Sequence, residues 1–175
     1  MCIRDRLHIA THGAFFRDSK KYIGSNIFSN ENKSQNPLYN SCLLLAGSAD
    51  FLNNRNIPPG KKEDGLLTAY EVMDMDLKNT EIVVLSACET GLGEIKNGEG
   101  VFGLQRAFQV AGADVLIMSL WKVNDTATQE LMTTFYSYWM SGMKKSDAFK
   151  NAQITIKSKY PSFYFWGAFV MLGKD

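Results

Sequence analysis

Two residues of this chain could do nucleophilic chemistry if the fold brings them together: Cys88 and His12. Cys88 lies in residues 86–91 (SACETG), where an apolar, β-branched run gives way to a glycine-rich stretch. His12 lies in residues 10–13 (ATHG), again just after a short apolar run. In parallel α/β sheets, ligands are met at the carboxyl ends of the strands. A neutral imidazole beside a thiol can take its proton, and the imidazolium then favours the nucleophilic thiolate. Gly13 leaves room along the backbone, so the N–H groups of Gly13 and Cys88 could face the oxyanion formed when a carbonyl is attacked. A structural reading stays open beside this one, because a cysteine at a strand end is commonly a small buried apolar residue. The distance between the two residues along the chain is too long for a local motif and does not decide.

The elements that must position them follow from periodicity. Residues 7–11 (LHIAT) predict a strand ended by Gly13, and residues 42–46 (CLLLA) a strand forming half of a hairpin with the segment before it. Residues 53–60 carry loop chemistry, and residues 66–73 predict a short helix with Asp64 or Thr68 near its start. Residues 81–87 (EIVVLSA) are almost continuously apolar, as expected of a strand covered on both faces. A glycine-rich loop over 91–100 precedes a helix over 101–111, with Gly112 as its stop. Then come a buried strand over 114–120, a helix capped by Asn124 or Asp125 and running to about Ser141, a helix capped by Ser146 and running to about Lys159, and a last strand over 165–172. Alternating strands and helices predict a three-layer, mostly parallel α/β sheet with helices on both faces.

Composition narrows the function classes. The 175 residues suit one domain, and 45% apolar content can fill a sizeable core. A net charge of +1, with basic residues scattered, predicts neither a nucleic-acid nor a membrane-surface partner. Three cysteines (Cys2, Cys42, Cys88), no CxxC and two histidines argue against a zinc site and for free thiols in a reducing cytoplasm. The opening residues are not expected to act as a secretory leader, and no apolar run reaches membrane-spanning length. Residues 98–103 spell GxGxxG, but about ten residues separate them from the preceding strand, and no suitably spaced acid follows; no cofactor is expected. Glu89 and Asp125 are acidic candidates for a substrate pocket that would favour Arg or Lys, and Trp121 a candidate wall. Asp125 reads equally as a helix cap, Glu89 as a solvated acid and Trp121 as a core or rim residue.

Over residues 7–173 the sequence resembles the CHAT domains, bacterial members of the caspase-like cysteine peptidases related to separase. The resemblance is carried, in order, by His12-Gly13, residues 64–71 (DGLLTAYE), 85–93 (LSACETGLG), 98–108 (GEGVFGLQRAF), 119–125 (SLWKVND) and 166–169 (WGAF). It implies a caspase-like sheet with the His and Cys strands adjacent, His12 and Cys88 as a catalytic dyad, and a protein or peptide substrate. It also implies an upstream helical-repeat region, such as tetratricopeptide repeats, or a sensor. The family's sheet has strands before the His strand that this chain lacks. Residues 1–6 are therefore left unassigned, and 7–175 are expected to be the C-terminal portion of such a domain from a longer protein. A catalytically inactive interaction or scaffold module is the alternative reading.

Overall fold

The apolar run around His12 becomes a strand with neighbours on both sides. Strand β1 (Arg6–Phe15) pairs in parallel with β4 (Ile82–Cys88) and antiparallel with β2 (Ser41–Leu44). The computed structural model describes residues 5–15, 37–52, 64–88, 99–121 and 124–174. Strands β3 (Leu66–Thr68), β5 (Val115–Ser119) and β6 (Phe169–Gly173) complete a six-stranded sheet of order β3-β2-β1-β4-β5-β6. The central trio β1, β4 and β5 is parallel, and the remaining pairings are antiparallel. Strands β1, β3, β4 and β5 thus share one direction, so the carboxyl ends of the central strands form one rim.

Helices cover both faces, as expected of this fold class. One face packs against α1 (Pro37–Asn40), α3 (Ala69–Met73) and α4 (Glu99–Val110), through Leu43, Val72, Val83, Leu85, Leu104, Phe108 and Met118. The other packs against α5 (Asp125–Met140), α6 (Lys145–Lys159) and the turn α7 (Phe163–Trp166), through Ile82, Val84, Val115, Ile117, Leu131, Phe135 and Phe149. A further short helix, α2 (Ser48–Leu52), follows β2. In β4 the residues from Ile82 to Leu85 have no exposed surface, which is why the run is apolar at every position rather than at alternate ones. Gly103 lets α4 approach β2 closely, since a Cβ there would stand 2.9 Å from Ser41 Oγ. This part of the GxGxxG string therefore has a packing role.

Several expected boundaries shift, each for a physical reason. β1 does not stop at Gly13 but runs on to Phe15, because β2 supplies ladder partners for residues 12–15. The hairpin partner of residues 42–46 is β1 on one side and β3 on the other. The helix expected over 66–73 is a strand for its first three residues. Thr68 then caps α3 in a capping box, its Oγ1 accepting from Glu71 N while its own N–H donates to Glu71 Oε2. Ser146 is not a cap: α6 starts at Lys145, with Lys144 in the extended cap position. The last strand begins at Phe169, because residues 163–166 coil into α7, closed by Gly167 N–H donating to Phe163 O at 2.8 Å. The loop expected over 53–60 lies outside the described residues, as do residues 91–98 of the loop expected over 91–100, whose last two residues instead open α4.

Candidate active site

The ladder between β1 and β4 ends with His12 beside Cys88. Adjacent strands lie about 4.8 Å apart, so sheet pairing alone brings these two backbone positions within reach of one ligand. Strand alternation assigns positions 8, 10 and 12 of β1 to the same face as 82, 84, 86 and 88 of β4. That is the face covered by α5. The cover is incomplete: Arg6, His8, Ala10 and His12 are all exposed.

Beside these residues lies a cavity of about 570 Å³, walled by His8, Ala10, Thr11 and His12 of β1, by Ser86 and Ser119, and by Asp125, Thr128, Gln129, Met132, Thr133 and Tyr136 of α5. Most of its lining residues carry a hydroxyl, amide or imidazole group, yet carbon makes up most of the surface they turn to the cavity. Asp125 is the single carboxylate among the described lining residues. The buried Thr128 Oγ1 has no hydrogen-bond partner among the described residues. A second trough lies across β1, between His8, Ala10 and His12 on one side and Leu44, Ala46 and Ala49 on the other. The Thr11 hydroxyl there donates to the Leu44 carbonyl.

At the end of the cavity away from His12, the Tyr136 hydroxyl and His8 Nδ1 share a hydrogen bond of 3.3 Å, with ring centroids 6.0 Å apart. Although His8 is exposed as a residue, desolvation of its ring beside Tyr136 holds the imidazole below its ordinary pKa, and burial pushes the Tyr136 phenol above its own, against the opposing pull of the Arg6 charge.

The other sequence candidates fall as follows. Gly13 stands within β1 opposite Leu43, not in a loop. Asp125 opens α5 and lines the cavity, while the cap is Asn124, whose Oδ1 accepts from Ala127 N at 3.1 Å. Trp121 is half-buried just past β5, its Nε1–H donating to the Tyr164 carbonyl at 3.1 Å, and it does not wall the cavity. Glu89 lies outside the described residues. Cys42 is buried in β2, where desolvation, with Asp64 and Glu71 adding negative charge, pushes its thiol up to about 12; such a thiol is inert.

Sequence reasoning missed His8, Ser86, Ser119, Thr128 and Tyr136. A signal existed for the first two. His8 and His12 are an even number apart on one strand, and Ser86 and Cys88 likewise, so each pair must share a face. Tyr136 and Thr128 had no such signal, since only packing decides which turns of α5 meet the open part of the sheet.

Comparison with known proteins settles the family. The CHAT domain model matches residues 4–174. This chain belongs to the CHAT domain family. Tetratricopeptide repeat protein 28 of Homo sapiens is 34% identical over 114 residues, which are 63% of this chain and 4% of that protein. The Mus musculus protein of the same name is 32% identical over 114 residues. The chain thus spans about 4% of the length of the curated relatives it matches. Both are mammalian, so the bacterial source suggested by the resemblance is not carried by these relatives. The CHAT family is peptidase-like, and the mixed six-stranded sheet with helices on both faces agrees with its caspase-like fold. Among the described residues, no helix is long and apolar enough to cross a membrane.

Proposed function

We propose that this CHAT domain is a cysteine endopeptidase in which Cys88 is the nucleophile and His12 its base. The observation that carries this reading is the ladder ending His12 against Cys88. His12 takes the thiol proton, and the thiolate sulfur bonds to the carbonyl carbon of a peptide. The backbone N–H groups of Gly13 and Cys88 hold the oxyanion. The C–N bond then breaks as the imidazolium gives its proton to the leaving amine. His12 next deprotonates a water that attacks the thioester, releasing the acid and restoring the thiol.

The cavity beside His12 supports a substrate side-chain pocket. Its lone described carboxylate, Asp125, is relieved of capping by Asn124 and favours Arg or Lys ahead of the cleaved bond, with the Thr128 hydroxyl as a further acceptor. Glu89 is a second acidic candidate by its place after Cys88, while Trp121 stands outside this cavity, just past β5. The tetratricopeptide repeats named in the relatives support regulation by a repeat region or sensor. The odd, low cysteine count and the free thiol of Cys42 support a cytoplasmic setting.

The test uses peptides with Arg, Lys or Ala before the scissile bond, and a thiol-reactive peptide probe. Cys88→Ala and His12→Ala should each abolish cleavage, and Cys88→Ala should abolish labelling, with circular dichroism unchanged. Cleavage that survives Cys88→Ala would sink the proposal. No cleavage, with Cys88 alkylating no faster than a free thiol, would leave the catalytically silent interaction module as the reading.

A further inference from the structure

A second recognition feature stands on the same rim, outside the cavity. The β4–β5 register pairs Leu85 with Met118, and continuing it by three residues brings Trp121 level with Cys88. Beyond β5 lies β6, and α7 leads directly into it. Phe163 and Tyr164 of α7 are adjacent and are 66% and 42% exposed. Phe163 meets the Trp121 ring edge-on, with centroids 6.1 Å apart.

These aromatics are held rigidly although two of them bury little. Trp121 Nε1–H donates to the Tyr164 carbonyl at 3.1 Å, and Leu120 N–H to the Ala168 carbonyl at 2.7 Å. Gln153 Nε2 donates to the carbonyls of Trp166 and Phe169, at 3.0 and 3.1 Å. A short turn tied down on both sides, yet leaving most of the Phe163 side chain exposed to water, is pre-organised to receive an apolar group.

We infer that Trp121, Phe163 and Tyr164 form a subsite for a large apolar or aromatic side chain of a bound peptide, about three residues from the bond addressed by Cys88. The spacing follows from the sheet: two strand separations are about 10 Å, which roughly three residues of extended peptide span. The inference rests on the peptidase reading for its register, but the binding it describes needs no catalysis.

Two pairs of fluorescein-labelled octapeptides test it, each with an equimolar mixture of residues at the cleaved position. One pair carries Phe or Ser three residues before that position, the other three residues after. Binding to the full chain carrying Cys88→Ala is read by fluorescence anisotropy. In one pair the Phe peptide should bind roughly tenfold tighter than the Ser peptide, as expected for covering an aromatic ring. Adding Phe163→Ser should remove most of that preference, adding Phe163→Leu should keep it, and adding Val110→Ser, an exposed apolar site on α4, should leave it unchanged. Equal binding within both pairs, or a preference that survives Phe163→Ser, overturns the subsite. Cleavage of both Phe and Ser peptides at equal rates by the unmodified chain would keep the dyad and discard the subsite. Selective binding without cleavage would keep the subsite and discard the peptidase.

Discussion

The two faces of the sheet differ in what covers them and in how far the cover extends. On the α4 face, aliphatic side chains and Phe108 pack from β2 across to β5, and they also shelter Leu7 and Ile9 of β1. On the α5 face, the core is rich in rings, with Phe135 meeting Trp139 and Phe149 at centroid distances of 5.8 Å each. That cover thins out over β1. There Arg6 reaches up to stack its guanidinium 4.3 Å above the Trp139 ring, while His8 and His12 stay exposed. A sheet can thus be sealed on one side for stability and left open on the other for chemistry. The opening falls where the ends of β1 and β4 meet.

The comparison is broken most readily by removing bulk from each kind of site. Phe108→Ala, deep in the α4 face, should cost about 3–5 kcal/mol in urea denaturation, enough to threaten the fold. Phe163→Ala, at the open rim, should stay within about 0.5 kcal/mol. A large cost at Phe163 would mean that the rim is part of the core.

A smaller effect separates two neighbours at the start of α5. Asn124→Ala should destabilise by about 1 kcal/mol, because it orphans the Ala127 N–H. Asp125→Asn should leave the denaturation midpoint almost unmoved, yet lower kcat/KM for Arg peptides relative to Ala peptides by roughly tenfold or more, the worth of a charged hydrogen bond. If Asp125→Asn shifted stability as much as Asn124→Ala, its role would be structural.

The smallest effect is a pH dependence on the open face. Burial lowers the folded-state pKa of His8, so the unfolded chain binds the proton more readily. The stability tied to neutral His8 is complete above the unfolded value of about 6.5 and is lost as pH falls through the lowered folded value. Thermal midpoints should therefore decline below about pH 6.5, and His8→Gln should flatten that decline. An unchanged slope in His8→Gln would show that another group titrates there.

Much of this architecture was legible residue by residue. Residues 81–87 read as a strand covered on both faces because no polar residue interrupts their apolar core, and Asn124 was among the two caps expected for α5. Legibility failed where a neighbour supplied the deciding contact. β1 outruns Gly13 because β2 extends its ladder. Residues 66–68 are strand because β2 pairs with them. The aromatic run 163–166 coils because its carbonyls are bound by Gly167 and Gln153.

The sequence alone determined the α/β class, the strongest strands and helices, and the two residues with matching chemistry at strand ends, because these follow from side-chain periodicity and from each residue's own reactivity. Only the tertiary structure decided that β1 lies against β4 in a register ending His12 at Cys88, that α5 leaves β1 partly uncovered, and that Asp125 borders a cavity while Trp121 braces a rim. Pairing and cover are set by contacts between segments remote in the chain, and local pattern carries no energy term for such contacts.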